Sequence, residues 1–282
     1  MADQSASIVE FCDVSLQYGN TWALHNVSFT LHPGETRIIL GEAGSGKTTL
    51  LKAVIGLVCP GKGTIKLFGK EVTATKEEAL FSLRSRAGIV LQEGGLFDSL
   101  SIGENVEYPL LNQQANEDKS KGLSTSGSFE ERVRETLRFV ELEQTFDKFP
   151  SELSGGMRRR VGIARAIVTE PPLVLYDSPT AGLDPITANT IMALIAKERD
   201  TRNTASLIVT HRYQDGEMMA NFRYDAQDQE LVPVSESEQD DPKRMRTKFM
   251  VMKEGEIVFF GTREELERSG DNYIKRFVRH EA

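Results

Sequence analysis

Cysteine is scarce in this 282-residue chain, which has only Cys12 and Cys59. One pair is too few for a disulfide framework, and neither residue has neighbours spaced for a metal site. The expectation is two buried or half-buried thiols in a reducing compartment. Long apolar runs are missing as well, because no window approaches the roughly 18 residues that a membrane-spanning helix needs. The opening residues MADQSASIVEF lack a basic stretch followed by an apolar core, so they do not read as a signal peptide. Positive charge is also in deficit. Against 42 Asp and Glu stand 34 Lys and Arg, a net charge of −8. That balance argues against a general nucleic-acid binder, since phosphate backbones need a basic surface. No internal repeat is visible. The chain is expected to be soluble and cytoplasmic, so that any membrane role comes through a partner.

What is present fits a folded α/β domain. The hydrophobic fraction of 39% and charged fraction of 27% are ordinary for a globular protein. Ile8–Phe11, Val27–Leu31 and Thr36–Leu40 read as strands, separated by turns at Tyr18-Gly19-Asn20 and Pro33-Gly34. A helix is predicted over Lys47–Leu57, a strand over Gly63–Phe68, a helix over Lys76–Ser85 and a strand over Ala87–Leu91. The polar stretch Asn112–Ser128 reads as a solvated loop. Val133, Leu137 and Val140 recur at helical spacing within Phe129–Leu142. Met157–Val168 and Ile186–Ile195 read as helices, and Leu173–Tyr176 and Ala205–Thr210 as buried central strands. Strands alternating with helices imply a parallel sheet. Asp225–Asp241 holds seven acidic residues and no Lys or Arg, and reads as an extended acidic insertion. A hairpin around Lys253-Glu254-Gly255 and a short helix from Arg263 end the pattern.

One segment carries chemistry directly. Gly41-Glu42-Ala43-Gly44-Ser45-Gly46-Lys47-Thr48 matches G-x-x-x-x-G-K-[ST], after an apolar strand and before an apolar-periodic helix. Glycines let successive N–H groups converge on one anion, and the helix N-terminus adds its dipole. Lys47 can reach β- and γ-phosphates, and Thr48 and the adjacent Thr49 complete the cradle. The Thr48 hydroxyl suits Mg²⁺. The loop alone means a nucleotide binder of the P-loop class.

Leu153-Ser154-Gly155-Gly156-Met157, followed by three arginines, resembles the LSGGQ signature of ATP-binding cassette (ABC) ATPases. The resemblance runs from about Ile8 to about Leu266, and other segments follow in the family's order. Leu173–Asp177 resembles the Walker B strand, whose Asp177 would hold Mg²⁺. Gln92 resembles the Q-loop glutamine, a second Mg²⁺ contact, and His211 the switch histidine. Asp184 lies in a segment that resembles the D-loop, and Tyr18 resembles the aromatic that stacks on adenine. The resemblance implies an α/β fold with a RecA-like P-loop core and an N-terminal antiparallel β-subdomain, residues 8–95 and 158–270. It further implies an inserted helical subdomain, 96–157. The acidic insertion, bounded at 223–247, departs from the family outline, which passes quickly from the histidine strand to the final hairpin. The resemblance implies ATP and Mg²⁺ as ligands and a homodimer in which Ser154, Gly155 and Gly156 face the partner's γ-phosphate. An integral-membrane permease would anchor the chain to the inner face of the cell membrane.

Two features go further. Ser178 follows Asp177, where the family usually places the glutamate that polarises the attacking water. Slow hydrolysis supported by His211 and Gln92, a substitute carboxylate such as Asp184 of the facing subunit, and a rarely hydrolysing switch are all open readings. Reduced but retained hydrolysis is the expectation. The segment Gln92–Ser101, with Glu104-Asn105-Val106 and Pro109-Leu110, resembles the Mla/Mkl-type ATPases of phospholipid transporters. That resemblance implies a lipid substrate and an MCE-type lipid-binding partner, with Leu96, Phe97 and Leu100 as an exposed docking patch. The alternatives are another transported solute and a non-transport ABC protein.

Overall fold

The computed structural model describes residues 7–73, 75, 77–117, 127–234 and 246–278. A six-stranded sheet forms the centre. Its spatial order places β12 (Glu256–Gly261) and β11 (Thr247–Lys253) beside β3 (Thr36–Gly41), then β8 (Ala205–Val209), β7 (Leu173–Asp177) and β6 (Ala87–Val90). Five of these strands run parallel, and β12 pairs antiparallel with β11 at the edge. β3 and β8 are buried throughout and β7 up to Asp177, which is why they read as short unbroken apolar runs.

Alternation along these strands divides the core in two. Ile38, Leu40, Val174, Tyr176, Ile208, Phe249 and Val251 pack on one face, with α3 (Ile102–Glu117), α4 (Gly127–Phe139), α5 (Gly155–Ile167) and α6 (Pro185–Arg202). Ile39, Leu173, Leu175, Leu207, Val209, Met250 and Met252 pack on the other. There they meet α1 (Lys47–Val54), α2 (Glu77–Arg84) and an antiparallel sheet. That sheet has the order β2 (Thr21–Leu31), β1 (Val9–Tyr18), β4 (Lys62–Leu67) and β5 (Lys70–Glu71). The fold is the expected α/β architecture with a parallel core and antiparallel strands.

Several expectations need correction. The two short strands predicted near the N-terminus are parts of one long hairpin, β1–β2. Asn112–Ser128 is not simply a loop. α3 continues to Glu117 because Ile102, Val106 and Leu110 bury one face, and Gln113 donates to the Ser85 carbonyl at 2.8 Å. α4 already begins at Gly127, and residues 118–126 lie outside the described set. The acidic insertion begins as a paired hairpin, β9 (Phe222–Asp225) and β10 (Glu230–Pro233), fixed by the Tyr224 N–H donating to Asp200 at 2.8 Å. Its remainder, 235–245, lies outside the described residues. Both cysteines are exposed, not buried. Of the expected docking patch only Phe97 is exposed; Leu96 packs against the core. The sequence reading also missed α7 (Tyr213–Asn221), which follows His211, and α9 (Asn272–Val278), which follows α8 (Arg263–Glu267).

Candidate functional site

The parallel strands end together, and the loops leaving them meet in one open cleft of about 520 Å³. β3 ends at Gly41, whose φ of +156° opens the turn into the phosphate loop. Gly46 caps α1 with φ +103°, and a Cβ there would collide with the Ala23 carbonyl of β2. That close approach explains why glycine is needed at this position. Lys47 turns back into the loop. Its Nζ donates to Gly41 O at 2.8 Å, Glu42 O at 2.7 Å and Ser45 Oγ at 3.3 Å. Burial pushes the Lys47 pKa down, and nearby Asp177 and Glu42 oppose that shift.

β7 delivers Asp177 to the same place. Thr48 Oγ1 donates to Asp177 Oδ2 at 3.0 Å, so the two residues sit as a ready pair. Gln92 from the end of β6 and His211 from the end of β8 line the cleft, as do Ala43, Gly44, Thr49 and Tyr18. Thus most of the predicted set is brought together. Glu42 and Ser45 face elsewhere. The Glu42 carboxylate pairs with Arg276 at 2.8 Å, and Ser45 is buried within the loop.

Ser178 also lines the cleft, and its backbone is unusual, with φ +50°. Its N–H donates to Val209 O at 2.8 Å. The nearly buried Arg159 of α5 donates to Ser178 O at 3.2 Å, to Pro179 O at 2.8 Å and to Ala181 O. One guanidinium therefore pins three carbonyls in the turn after β7. Burial lowers the Arg159 pKa without removing its charge, since the group starts far above neutral. Asp215 of α7 braces the turn from the other side. It accepts from Thr180 Oγ1 at 2.5 Å and Thr210 Oγ1 at 2.6 Å, and burial raises its pKa.

Ser154, Gly155, Gly156 and Asp184 are not in this cleft. They line a second cavity, formed where α5 and α6 begin side by side. Ser154 Oγ caps α5 by accepting from the Met157 N–H at 3.3 Å. Asp184 Oδ1 caps α6, accepting from Ile186 and Thr187 N–H at 3.1 and 3.0 Å. Hydrogen bonds from Thr187 hold the Asp184 carboxyl below its usual range. One chain thus holds two separate half-cradles.

The sequence reading missed Thr21, Trp22 and Ala23 on the cleft wall. The signal was available in the β1–β2 pairing, which sets Trp22 opposite Gln17, next to Tyr18. Among the described residues no cluster of three or more His, Cys, Asp or Glu could hold a metal ion. A hard cation bound mainly to phosphate oxygens needs only one or two protein oxygens, and Thr48 Oγ1 with Asp177 Oδ2 supply them. The donor set therefore fits Mg²⁺.

A P-loop, a carboxylate strand end and a second helix-capped cradle, placed on this sheet, define an ABC-type nucleotide-binding domain. A family model described as ABC transporter matches residues 24–181, and the chain belongs to that family. Among its relatives is the methionine import ATP-binding protein MetN of Corynebacterium efficiens, 38% identical over 211 residues. The match covers 73% of this chain and 56% of MetN, so the chain spans about half the length of such relatives. The intermembrane phospholipid transport system ATP-binding protein MlaF of Escherichia coli K12 is 32% identical over 232 residues, covering 82% of this chain and 83% of MlaF. Among solved structures, the dimeric post-hydrolysis state of the ATP-binding cassette MJ0796 bound to ADP and Pi aligns with a TM-score of 0.72 at 27% identity, covering 90% of this chain and 98% of that one. The cbiO1 protein of Clostridium perfringens, part of the cbiONQ transporter complex, aligns with a TM-score of 0.74 at 25% identity, covering 96% and 92%. No helix among the described residues is long and apolar enough to cross a membrane.

Proposed function

We propose that this chain is the ATP-binding subunit of an ABC transporter, and that it hydrolyses ATP to drive phospholipid movement through an integral-membrane permease. The observation that carries the reading is the convergence of Lys47, Thr48, Gln92, Asp177 and His211 on one cleft. In this reading the loop backbone from Gly41 to Thr49 wraps the phosphates, and Lys47 exchanges its internal acceptors for phosphate oxygens. Mg²⁺, bound by Thr48 and Asp177 with Gln92 nearby, would supply charge neutralisation on the phosphates. His211 holds the terminal phosphate from the β8 side. Tyr18 stacks on the base.

The second cavity supports a homodimer. Ser154, Gly155 and Gly156 offer an anion cradle at a helix N-terminus, and in this chain that cradle lies apart from the phosphate loop. A second copy, turned head to tail, would bring each cradle to the other's loop. The helical segment 96–157 would then carry both the cradle and the permease contact, while 8–95 and 158–270 form the core.

Ser178 makes this a slow motor. Its hydroxyl donates to Asp177 Oδ1 at 3.3 Å and is a poor base near neutral pH. His211 and Gln92 are left to orient the water. A lipid substrate is supported by the MlaF relative, which this chain matches over most of both lengths. An MCE-type partner belongs to the same reading. Methionine import is the second reading, favoured by the higher identity to MetN. The test is to purify the chain with its copurifying membrane subunits in nanodiscs and measure phosphate release. Stimulation by added phospholipid, and not by methionine, is expected; the reverse result would replace the lipid reading.

A further inference from the structure

The last described helix, α9, reaches back to the start of the phosphate loop. β3 and β11 run parallel and stay in register up to the pair Gly41 and Met252. Beyond that pair β3 turns into the loop, and the next backbone donor, the Glu42 N–H, is taken by a side chain instead. The Tyr273 hydroxyl of α9 accepts from it at 3.3 Å and donates to Met252 O at 3.0 Å. One hydroxyl therefore spans the gap that opens where the two strands part. A phenol suits this place because it donates and accepts at once. Its ring is held on two sides, edge-on to Phe277 with centroids 5.2 Å apart and with Lys253 Nζ 5.3 Å from its centre. Three residues on, and so on the same side of the helix, Arg276 pairs with the Glu42 carboxylate at 2.8 Å. The Glu42 carbonyl is engaged from within the loop, by Lys47 Nζ at 2.7 Å and the Ser45 N–H at 3.2 Å. Glu42 does not line the cleft, so α9 grips the loop from behind.

We propose that α9 is a latch on the phosphate loop, with Tyr273 as the positioning residue that sets the curl of the loop before a polyphosphate arrives. This rests on the nucleotide reading of the cleft and adds a control that acts from outside it. A loop already curled loses little freedom when its N–H groups close on an anion. Without the hydroxyl, the Glu42 peptide loses its tie to β11, and the loop must be ordered when the ligand binds. The latch touches neither the base nor the attacking water. Its removal therefore acts on binding and leaves the chemical step alone.

The test compares wild type, Tyr273→Phe and Arg276→Ala. Phosphate release is measured with the copurifying membrane subunits, and binding of ATP and of inorganic tripolyphosphate to the protein is measured by calorimetry. Tyr273→Phe keeps the ring and its packing. It should raise KM for ATP about fivefold with kcat unchanged, and weaken ATP and tripolyphosphate by the same factor, the scale of one net hydrogen bond. Arg276→Ala should weaken both by less than about twofold, because that ion pair is exposed on both sides. Hydrogen exchange separates a latch from general packing. Amides of residues 42–47 should exchange faster in Tyr273→Phe, while those of β3, β7 and β8 keep the wild-type rate. Unchanged affinity, a fall in kcat alone, or faster exchange throughout the sheet overturns the assignment while leaving wild-type binding intact. If wild type binds neither ligand, the nucleotide reading itself falls and the latch falls with it.

Discussion

The phosphate-loop cleft and the signature cavity are both built at helix N-termini, yet they are stabilised in different ways. In the first, a cationic side chain is drawn inward: Lys47 bonds to three oxygens of its own loop. The loop is pressed between β2, β11 and α9, and Tyr273 accepts from the Glu42 N–H at 3.3 Å. In the second, Ser154 and Asp184 simply cap their own helices. The first cavity is a clamp assembled from distant parts of the chain. The second is assembled from two adjacent helix starts. The difference teaches that, on the proposed reading, the chain carries a gripping half and a completing half, and that the first draws on segments much farther apart in the sequence.

The largest test of this contrast is Lys47→Ala. Removing the clamp's one cation should cut phosphate release by about 10²–10³-fold, the scale of losing a preorganised donor to developing charge. Ser178→Glu should move turnover the other way. A carboxylate after Asp177 supplies a general base, and a gain of about 10²-fold is expected, with ATP affinity little changed. An unchanged rate would mean that water positioning already rests on other groups. Gly156→Ala addresses the completing half. A Cβ there would lie 2.5 Å from Thr187 Cγ2, so the Thr187 side chain at the start of α6 must shift. Turnover should fall about tenfold, while ATP affinity of the single chain, measured by calorimetry, stays at the wild-type value.

Two smaller effects sharpen the picture beneath the cleft. The Tyr176 hydroxyl on β7 is fully buried and has no hydrogen-bond partner among the described residues, and burial raises its pKa. Tyr176→Phe should stabilise the fold by about 1 kcal/mol in urea titration, because a desolvated hydroxyl is removed. Asp215 has a raised pKa, mainly from burial, so the folded state holds its proton more tightly than the unfolded chain does. Its ionised form therefore weighs against folding. Wild-type stability should fall, relative to Asp215→Asn, as pH rises from about 4 through the raised value. Denaturant midpoints of the two proteins that stay parallel over that range would show that Thr180 and Thr210 fully offset the burial.

Much of the site was legible because its chemistry is local. Gly41 to Thr49 is one unbroken segment, and the apolar runs at β3, β7 and β8 mark strands buried on both faces. What escaped depends on distant contacts. The polar end of α3 looks like a loop until its first turns are seen buried and Gln113 is seen tied to Ser85. The β9–β10 hairpin looks like solvated acid until Asp200 of α6 is seen to receive the Tyr224 N–H. Trp22 was passed over because its place on the cleft wall follows from the β1–β2 pairing, which the sequence reading had not drawn as one hairpin.

The position of β3 in the sheet has a consequence for timing. The strand that leads into the phosphate loop lies between β8 and β11, and β11 ends at Lys253. During synthesis, at about 5–20 residues per second, β3 waits roughly 10–40 s for that neighbour to be made. A nascent chain released before then holds its loop beside an open sheet edge. The loop's setting beside a strand paired on both sides is therefore acquired only after Lys253 has been made, more than 200 residues after the loop itself.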